Sequence, residues 1–181
     1  MNDVIERILV TEEEIIKRSK ELGAVITQDY RDAGKTPIVV GLLKGSVPFL
    51  AEIMKHIDLD IEIDFMDVSS YDGAQSVGDV KINKDLDKSV KGESILLVEV
   101  IVDTGRTRKE VKTLLLHKGA ADVKIVSLLD KPSRRVIEIQ ADYVGFEIPN
   151  EFVVGYGLDY DQKYRNLPYI GVLRPQVYEN R

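Results

Sequence analysis

The 181-residue sequence predicts an α/β fold, a mainly parallel twisted sheet with helices on both faces. Three observations carry that expectation. Short, continuous apolar runs at 37–43, 94–102 and 123–129 suit strands covered on both faces, since a half-buried strand would alternate. Stretches with helical spacing separate these runs, and alternating strands and helices favour parallel pairing. The length suits one domain, residues 1–181, with a full-sized core.

From the N-terminus, Thr11 and Glu14 form a capping-box pattern, and Ile15, Ile16, Leu22, Val25 and Ile26 follow at near-helical spacing. A helix is expected over 12–28. A polar turn leads to 37–43, read as the first buried strand. Residues 47–57 look helical, and Ile61, Ile63 and Phe65 alternate with Glu62 and Asp64 as in a half-buried strand. Residues 69–79 are rich in Ser, Tyr, Asp, Gly and Gln, which predicts a mobile loop, with a short strand or hairpin at 80–83. After the run at 94–102, a helix over 106–117 puts Val111, Leu114 and Leu115 on one face, and Gly119 stands where a C-cap is expected. The strand at 123–129 ends in a Lys131-Pro132 turn, and further strands are expected at 141–146, 152–155 and 169–173.

Hydrophobic residues at 44% and charged residues at 31% exclude collagen-like and disordered classes. A net charge of −6, from 25 Lys+Arg against 31 Asp+Glu, is a poor footprint for a nucleic-acid partner, though a local pocket for a small anion remains compatible with it. No cysteine is present, so disulfides and thiolate metal sites are excluded. The start, MNDVIERILVTEEE, has no uninterrupted apolar core of the kind a secretory signal needs, and no stretch approaches the roughly 20 apolar residues that span a bilayer. A cytoplasmic protein without a membrane partner is expected.

The stretch "LVEVIVDTGRT" (97–107) carries the chemistry. Ligands of open parallel sheets bind beyond the carboxyl ends of the strands, where Asp103–Thr107 lie. Backbone N–H groups of this turn and of the first helical turn lack intrahelical acceptors and point outward with the positive end of the helix dipole. That setting captures phosphate, with Gly105 allowing close approach and Thr104 and Thr107 offering hydroxyls. The same letters also suit a plain tight turn with Asp103 or Thr104 as N-cap. An aspartic-protease triplet is disfavoured by the helix that follows, and a P-loop string is absent; Gly155 and Gly157 do not continue into a dinucleotide fingerprint.

An apolar strand with Glu99 followed by D-T-G-x-T resembles the signature of type I phosphoribosyltransferases. The stretches "GLLKGSVPFL" (41–50), "SSYDG" (69–73), "LLDKPSRR" (128–135) and "EFVVGYGLDYDQKYRNLPYIGVL" (151–173) resemble the bacterial hypoxanthine-guanine subfamily over nearly the whole chain. That resemblance implies a type I phosphoribosyltransferase-like fold with a small hood, and transfer of 5-phosphoribosyl from phosphoribosyl pyrophosphate to hypoxanthine or guanine. The products would be IMP or GMP and pyrophosphate, with Mg2+ as cofactor. It assigns the 5′-phosphate to Asp103, Thr104, Gly105, Arg106 and Thr107, and places Asp103 near purine N7 as general base or stabiliser of the protonated position. Glu99 would accept hydrogen bonds from ribose hydroxyls, favour the positive charge growing on the ribose, and help hold the metal. Without that setting it would read as an edge-strand acid facing solvent.

By the same resemblance Lys131 donates to the purine exocyclic oxygen, selecting 6-oxopurines. Phe152 stacks on the base, Val153 offers backbone contacts, and Asp159 is a magnesium ligand at the purine site. Lys44, Gly45 and Arg165 hold pyrophosphate, with an unusual peptide geometry at Lys44-Gly45, and Ser70 and Tyr71 belong to a lid. His56 and His117 receive no role. The resemblance also implies a homodimer or homotetramer and inhibition by guanosine tetraphosphate competing at the phosphate nest.

Two positions depart from the family pattern. Its second strand acid is replaced by Val100, and losing one charge-assisted hydrogen bond costs about 1.5–3 kcal/mol, or about one to two decades in rate or affinity. A weakened enzyme is expected; the alternative is a catalytically impaired nucleotide-binding or regulatory relative. Arg108 stands where the family has an apolar residue, and its stem is expected to cover apolar surface with the charge in water. The RNA-binding pyrimidine-operon attenuator group shares a D/Y-T-G-R-T loop, but the acidic charge, Lys131-Pro132 and the 152–161 segment weigh against it.

Overall fold

The structure, a computed structural model, describes residues 2–70, 80–102, 106–137 and 139–179. In chain order its elements are β1 (Ile5–Val10), α1 (Glu12–Ala33), β2 (Ile38–Leu42), α2 (Val47–Ile53), β3 (Glu62–Ser70), β4 (Val80–Lys84), β5 (Ser94–Val102), α3 (Arg106–His117), β6 (Asp122–Asp130), β7 (Tyr143–Glu147), β8 (Val153–Val154), β9 (Ile170–Leu173) and α4 (Pro175–Tyr178).

The main sheet is six-stranded in the order β4-β3-β2-β5-β6-β7. β2 pairs in parallel with β3 and β5, and β6 in parallel with β5 and β7, while β4 returns antiparallel along β3. The expected mainly parallel sheet is therefore present. β2 and β5 lie at its centre, and β5 and its neighbour β6 carry almost uninterrupted burial, which is why they read as apolar runs.

Two apolar layers cover the sheet. On one face α1 and α2 bury Ile15, Leu22, Ile26, Phe49 and Ile53 against Val39, Leu96, Val98, Val126 and Leu128. On the other α3 sets Val111 and Leu115 against Val40, Ile95, Leu97, Val123 and Ile125. α1 starts at the predicted capping box, in which the Thr11 side chain accepts from Glu14 N and the Glu14 carboxylate accepts from Thr11 N. It runs past the expected end at 28 to Ala33, where Gly34 closes it at φ 66°. Gly119 ends α3 as expected, at φ 98° with its N–H on Leu116 O.

A smaller three-stranded antiparallel sheet, β1-β9-β8, forms the hood. Ile5, Val154, Leu167 and Leu173 fill its core. The expected first buried strand is β2, and β1, exposed in its middle, is an additional strand that the sequence did not predict. The inward alternation expected of Ile61, Ile63 and Phe65 also fails, since Ile63 is 46% exposed and Met66 is buried instead. β4 covers β3 only from Asp67 onward, so the stretch around Ile63 is the sheet's edge. No described helix is long and apolar enough to cross a membrane.

Candidate active site

β2, β5 and β6 point their carboxyl ends the same way, and the loops that follow β2 and β6 meet the loop between β8 and β9 there. After β2, the Leu43-Lys44 peptide bond is cis, one bond earlier than the Lys44-Gly45 peptide at which the unusual geometry was expected. Lys44 Nζ donates to Gln162 Oε1 at 3.3 Å. Arg165 Nη1 donates to Gly157 O at 2.6 Å, Nη2 donates to Gln162 Oε1 at 3.2 Å, and Nη2 lies 3.5 Å from Asp159 Oδ1. A methyl group added at Gly45 would lie 3.3 Å from Val100 Cγ1 and 3.9 Å from Arg165 Nη1. The loops bearing Lys44, Gly45, Asp159 and Arg165 thus form one cationic rim, and Val100 underlies it.

The backbone of this rim is unusual. Tyr156, Asp161, Gln162 and Tyr164 all take positive φ, between 49° and 76°. Non-glycine residues in the left-handed region cost of order 1 kcal/mol or more each, and such residues gather at binding sites. Gln162 N donates to Asp159 Oδ2 at 2.9 Å, so the turn orients the carboxylate.

Beside the rim lies a cleft of about 420 Å³ lined by Ile101, Lys131, Phe152, Val153, Leu158 and Asp159, together with Arg134, Asn150 and Glu151. The chain therefore brings the four residues expected to contact a purine into one cavity. Lys131 is held where β6 ends, its N–H bonded to Val102 O at 2.9 Å. Phe152 stacks on Tyr178 of α4 with ring centroids 4.8 Å apart and meets Tyr160 edge-on at 5.7 Å. Tyr178 does not line the cleft, so it backs the ring that does.

A family model described as a phosphoribosyl transferase domain matches residues 9–161. The chain belongs to the phosphoribosyltransferase family. A hypoxanthine-guanine phosphoribosyltransferase of Lactococcus lactis is 61% identical over 98% of this chain and 96% of its own length. Another from Bacillus subtilis is 55% identical, covering 99% of both. A solved hypoxanthine phosphoribosyltransferase from Staphylococcus aureus superposes with a TM-score of 0.93 at 51% identity, over 98% of this chain and 96% of that one. The fold is thus the type I phosphoribosyltransferase fold implied by the sequence.

In this phosphoribosyltransferase the expected phosphate nest is described only in part. Asp103, Thr104 and Gly105 lie outside the described residues, as does Tyr71 of the expected lid, whose Ser70 ends β3. Arg106 opens α3, and Thr107 is exposed in its first turn.

One expectation is overturned. The Arg108 guanidinium is not in water: the side chain is 1% exposed and pairs with Glu99. Burial, together with the neighbouring Arg135 and against the pull of Asp130, lowers its pKa to about 9, so it stays charged at neutral pH. The helical stripe explains the placement, since Arg108 precedes Val111 and Leu115 by three and seven residues and shares their buried face. That spacing was the signal in the sequence. The Asp130–Arg135 ion pair and the orienting role of Gln162 had no comparable signal.

Among the described residues no three acidic or histidine side chains gather into a protein-only metal cage. Asp159 offers a single oriented carboxylate beside a cationic rim. Magnesium is held in this way where substrate oxygens and water complete its octahedron, so Asp159 fits the implied metal. Glu99, the second expected metal contact, is engaged by Arg108 and does not fit while that pair stands.

Proposed function

We propose that this phosphoribosyltransferase serves purine salvage in the cytoplasm, moving 5-phosphoribosyl from phosphoribosyl pyrophosphate to hypoxanthine or guanine and releasing pyrophosphate with IMP or GMP. One observation carries the reading: Lys131, Phe152, Val153 and Asp159 line a single cleft beyond the carboxyl ends of the parallel strands. A lysine ammonium lining such a cleft can donate to a purine 6-oxygen, whereas adenine would face it with a donor. Phe152, fixed from behind by Tyr178, supplies a flat apolar face for the base.

The remaining roles join the family resemblance to the place and charge of the rim. The rim of Lys44, Gly45 and Arg165 suits a pyrophosphate, since two cations and loop amides can share its charge. Residues 103–107 are the assigned 5′-phosphate nest, with Asp103 at purine N7. Asp159 would hold magnesium, which when bound neutralises charge on the leaving pyrophosphate. A homodimer or homotetramer and competition by guanosine tetraphosphate belong to the same reading.

Nearly full-length likeness to enzymes disfavours the regulatory-relative alternative. A steady-state assay of guanine and hypoxanthine with phosphoribosyl pyrophosphate and magnesium should show nucleotide and pyrophosphate formed together. Binding of both substrates without turnover would sink the proposal. Val100→Asp places a carboxylate under Gly45 and near Arg165, and should raise kcat/KM by about tenfold to a hundredfold, the span of one restored charge-assisted hydrogen bond.

A further inference from the structure

Two periodicities bring Glu99 and Arg108 together. On β5, Glu99 follows Ile95 and Leu97 on the face that packs under α3, and on α3 Arg108 shares the stripe of Val111 and Leu115. The carboxylate and the guanidinium therefore meet between strand and helix. Arg108 Nη2 donates to Glu99 Oε2, and lies 3.3 Å from Ile101 O. Its Nε and Nη1 are buried without a hydrogen-bond partner. The nearby acid Asp130 is itself paired with Arg135. Glu99 is thus the carboxylate that compensates a guanidinium already short of acceptors.

We propose that Arg108 is a positioning residue that withholds Glu99, so that phosphoribosyl pyrophosphate gains the ribose contact of this carboxylate only when the buried ion pair opens. The inference rests on the reading that Glu99 serves the ribose. A ribose hydroxyl brings a neutral donor, whereas the guanidinium brings a charged one in a dry setting, so the resident partner holds the stronger bond. Opening the pair also leaves Arg108, two of whose donors are already unpaired, with only the Ile101 carbonyl and the pull of Asp130. The cost falls on the sugar-phosphate substrate. Arg108 does not line the cleft of Lys131 and Phe152, so the purine is spared.

The test measures kcat/KM for phosphoribosyl pyrophosphate and KM for guanine separately, in the full chain and in Arg108→Met and Arg108→Leu, each with and without Glu99→Gln. Calorimetric titration with phosphoribosyl pyrophosphate and magnesium repeats the comparison without turnover, and thermal melts verify folding. Arg108→Met should raise kcat/KM for phosphoribosyl pyrophosphate, and tighten its Kd, by about tenfold or more, as one charge-assisted hydrogen bond allows. The guanine KM should stay within about twofold, and the gain should vanish with Glu99→Gln, as coupling between two contacting residues requires. No gain, a loss, or an equal gain in the Glu99→Gln background overturns the proposal. The two levels fail differently. Unaltered activity on adding Glu99→Gln to Arg108→Met sinks the ribose assignment of Glu99, whereas a loss there without any gain from Arg108→Met sinks only the withholding.

Discussion

At Arg108 two opposed costs meet. Its side chain is 1% exposed and that of Glu99 is 11% exposed, so the cation is the more deeply desolvated partner, and two of its donors are unpaired. Removing one member of a buried pair is usually destabilising because the other is left bare, but replacing buried ions by well-packed apolar groups is often stabilising. Here Glu99 retains some exposure to solvent, and the guanidinium has almost none. Arg108→Met should therefore stabilise the fold by about 1–3 kcal/mol, which for a chain of this size raises Tm by about 2–4 °C per kcal/mol. Folding lowers the Arg108 pKa from its ordinary value to about 9, so the unfolded chain binds more protons between these values. The penalty is full below about pH 9 and is relieved as pH rises above it. Denaturant titrations of both proteins at about pH 7 and about pH 10 should show the variant's advantage shrinking at the higher pH. A less stable Arg108→Met at neutral pH would mean that Glu99's need for a counter-charge dominates. The burial of Arg108 was written in the helical stripe it shares with Val111 and Leu115. What the sequence did not contain was the height at which β5 would deliver a carboxylate, because that depends on strand and helix meeting in space.

At the level of elements, α4 has one turn and no buried residue, yet it fixes the ring that lines the purine cleft. An aromatic pair is worth about 0.5–1.5 kcal/mol beyond its area, or about twofold to tenfold in a dissociation constant. Tyr178→Ala should raise KM for guanine and hypoxanthine by that factor while leaving KM for phosphoribosyl pyrophosphate unchanged. Equal shifts in both constants would mean that α4 supports the whole site and not one ring. β5 and α3 were legible at their full lengths because the strand is covered on both faces and the helix has a plain stripe. β1 was not legible. Glu6 and Arg7 interrupt it, its middle is exposed, and its partner β9 lies at the other end of the chain. The ion pair of Arg7 with Glu151, just ahead of β8, shows why those charges are tolerated: they tie the hood together at its rim. Local pattern carries no information about such a pairing.

Across the whole molecule, the hood and the main sheet must meet closely enough to form one site, and Gly157 is where they do. It takes φ +102°, and a Cβ there would collide with the carbonyl oxygen of Gly45. The contact joins the loop after β2 to the hood loop that bears Asp159 and Arg165, whose Nη1 donates to Gly157 O. Gly157→Ala must therefore push the two loops apart as well as strain the backbone. Gly34 separates these effects: its φ is +66°, but nothing lies within 4 Å of the added methyl. Gly34→Ala should cost about 1 kcal/mol in stability and leave the kinetics alone. Gly157→Ala should cost at least as much by denaturant titration, and in addition lower kcat/KM for phosphoribosyl pyrophosphate by about tenfold to a hundredfold, as displacement of positioning groups by about 1 Å does. If both alanine variants lose stability alike and neither changes the kinetics, the rim of Lys44, Asp159 and Arg165 does not depend on the hood's close approach, and the pyrophosphate assignment loses its geometric support.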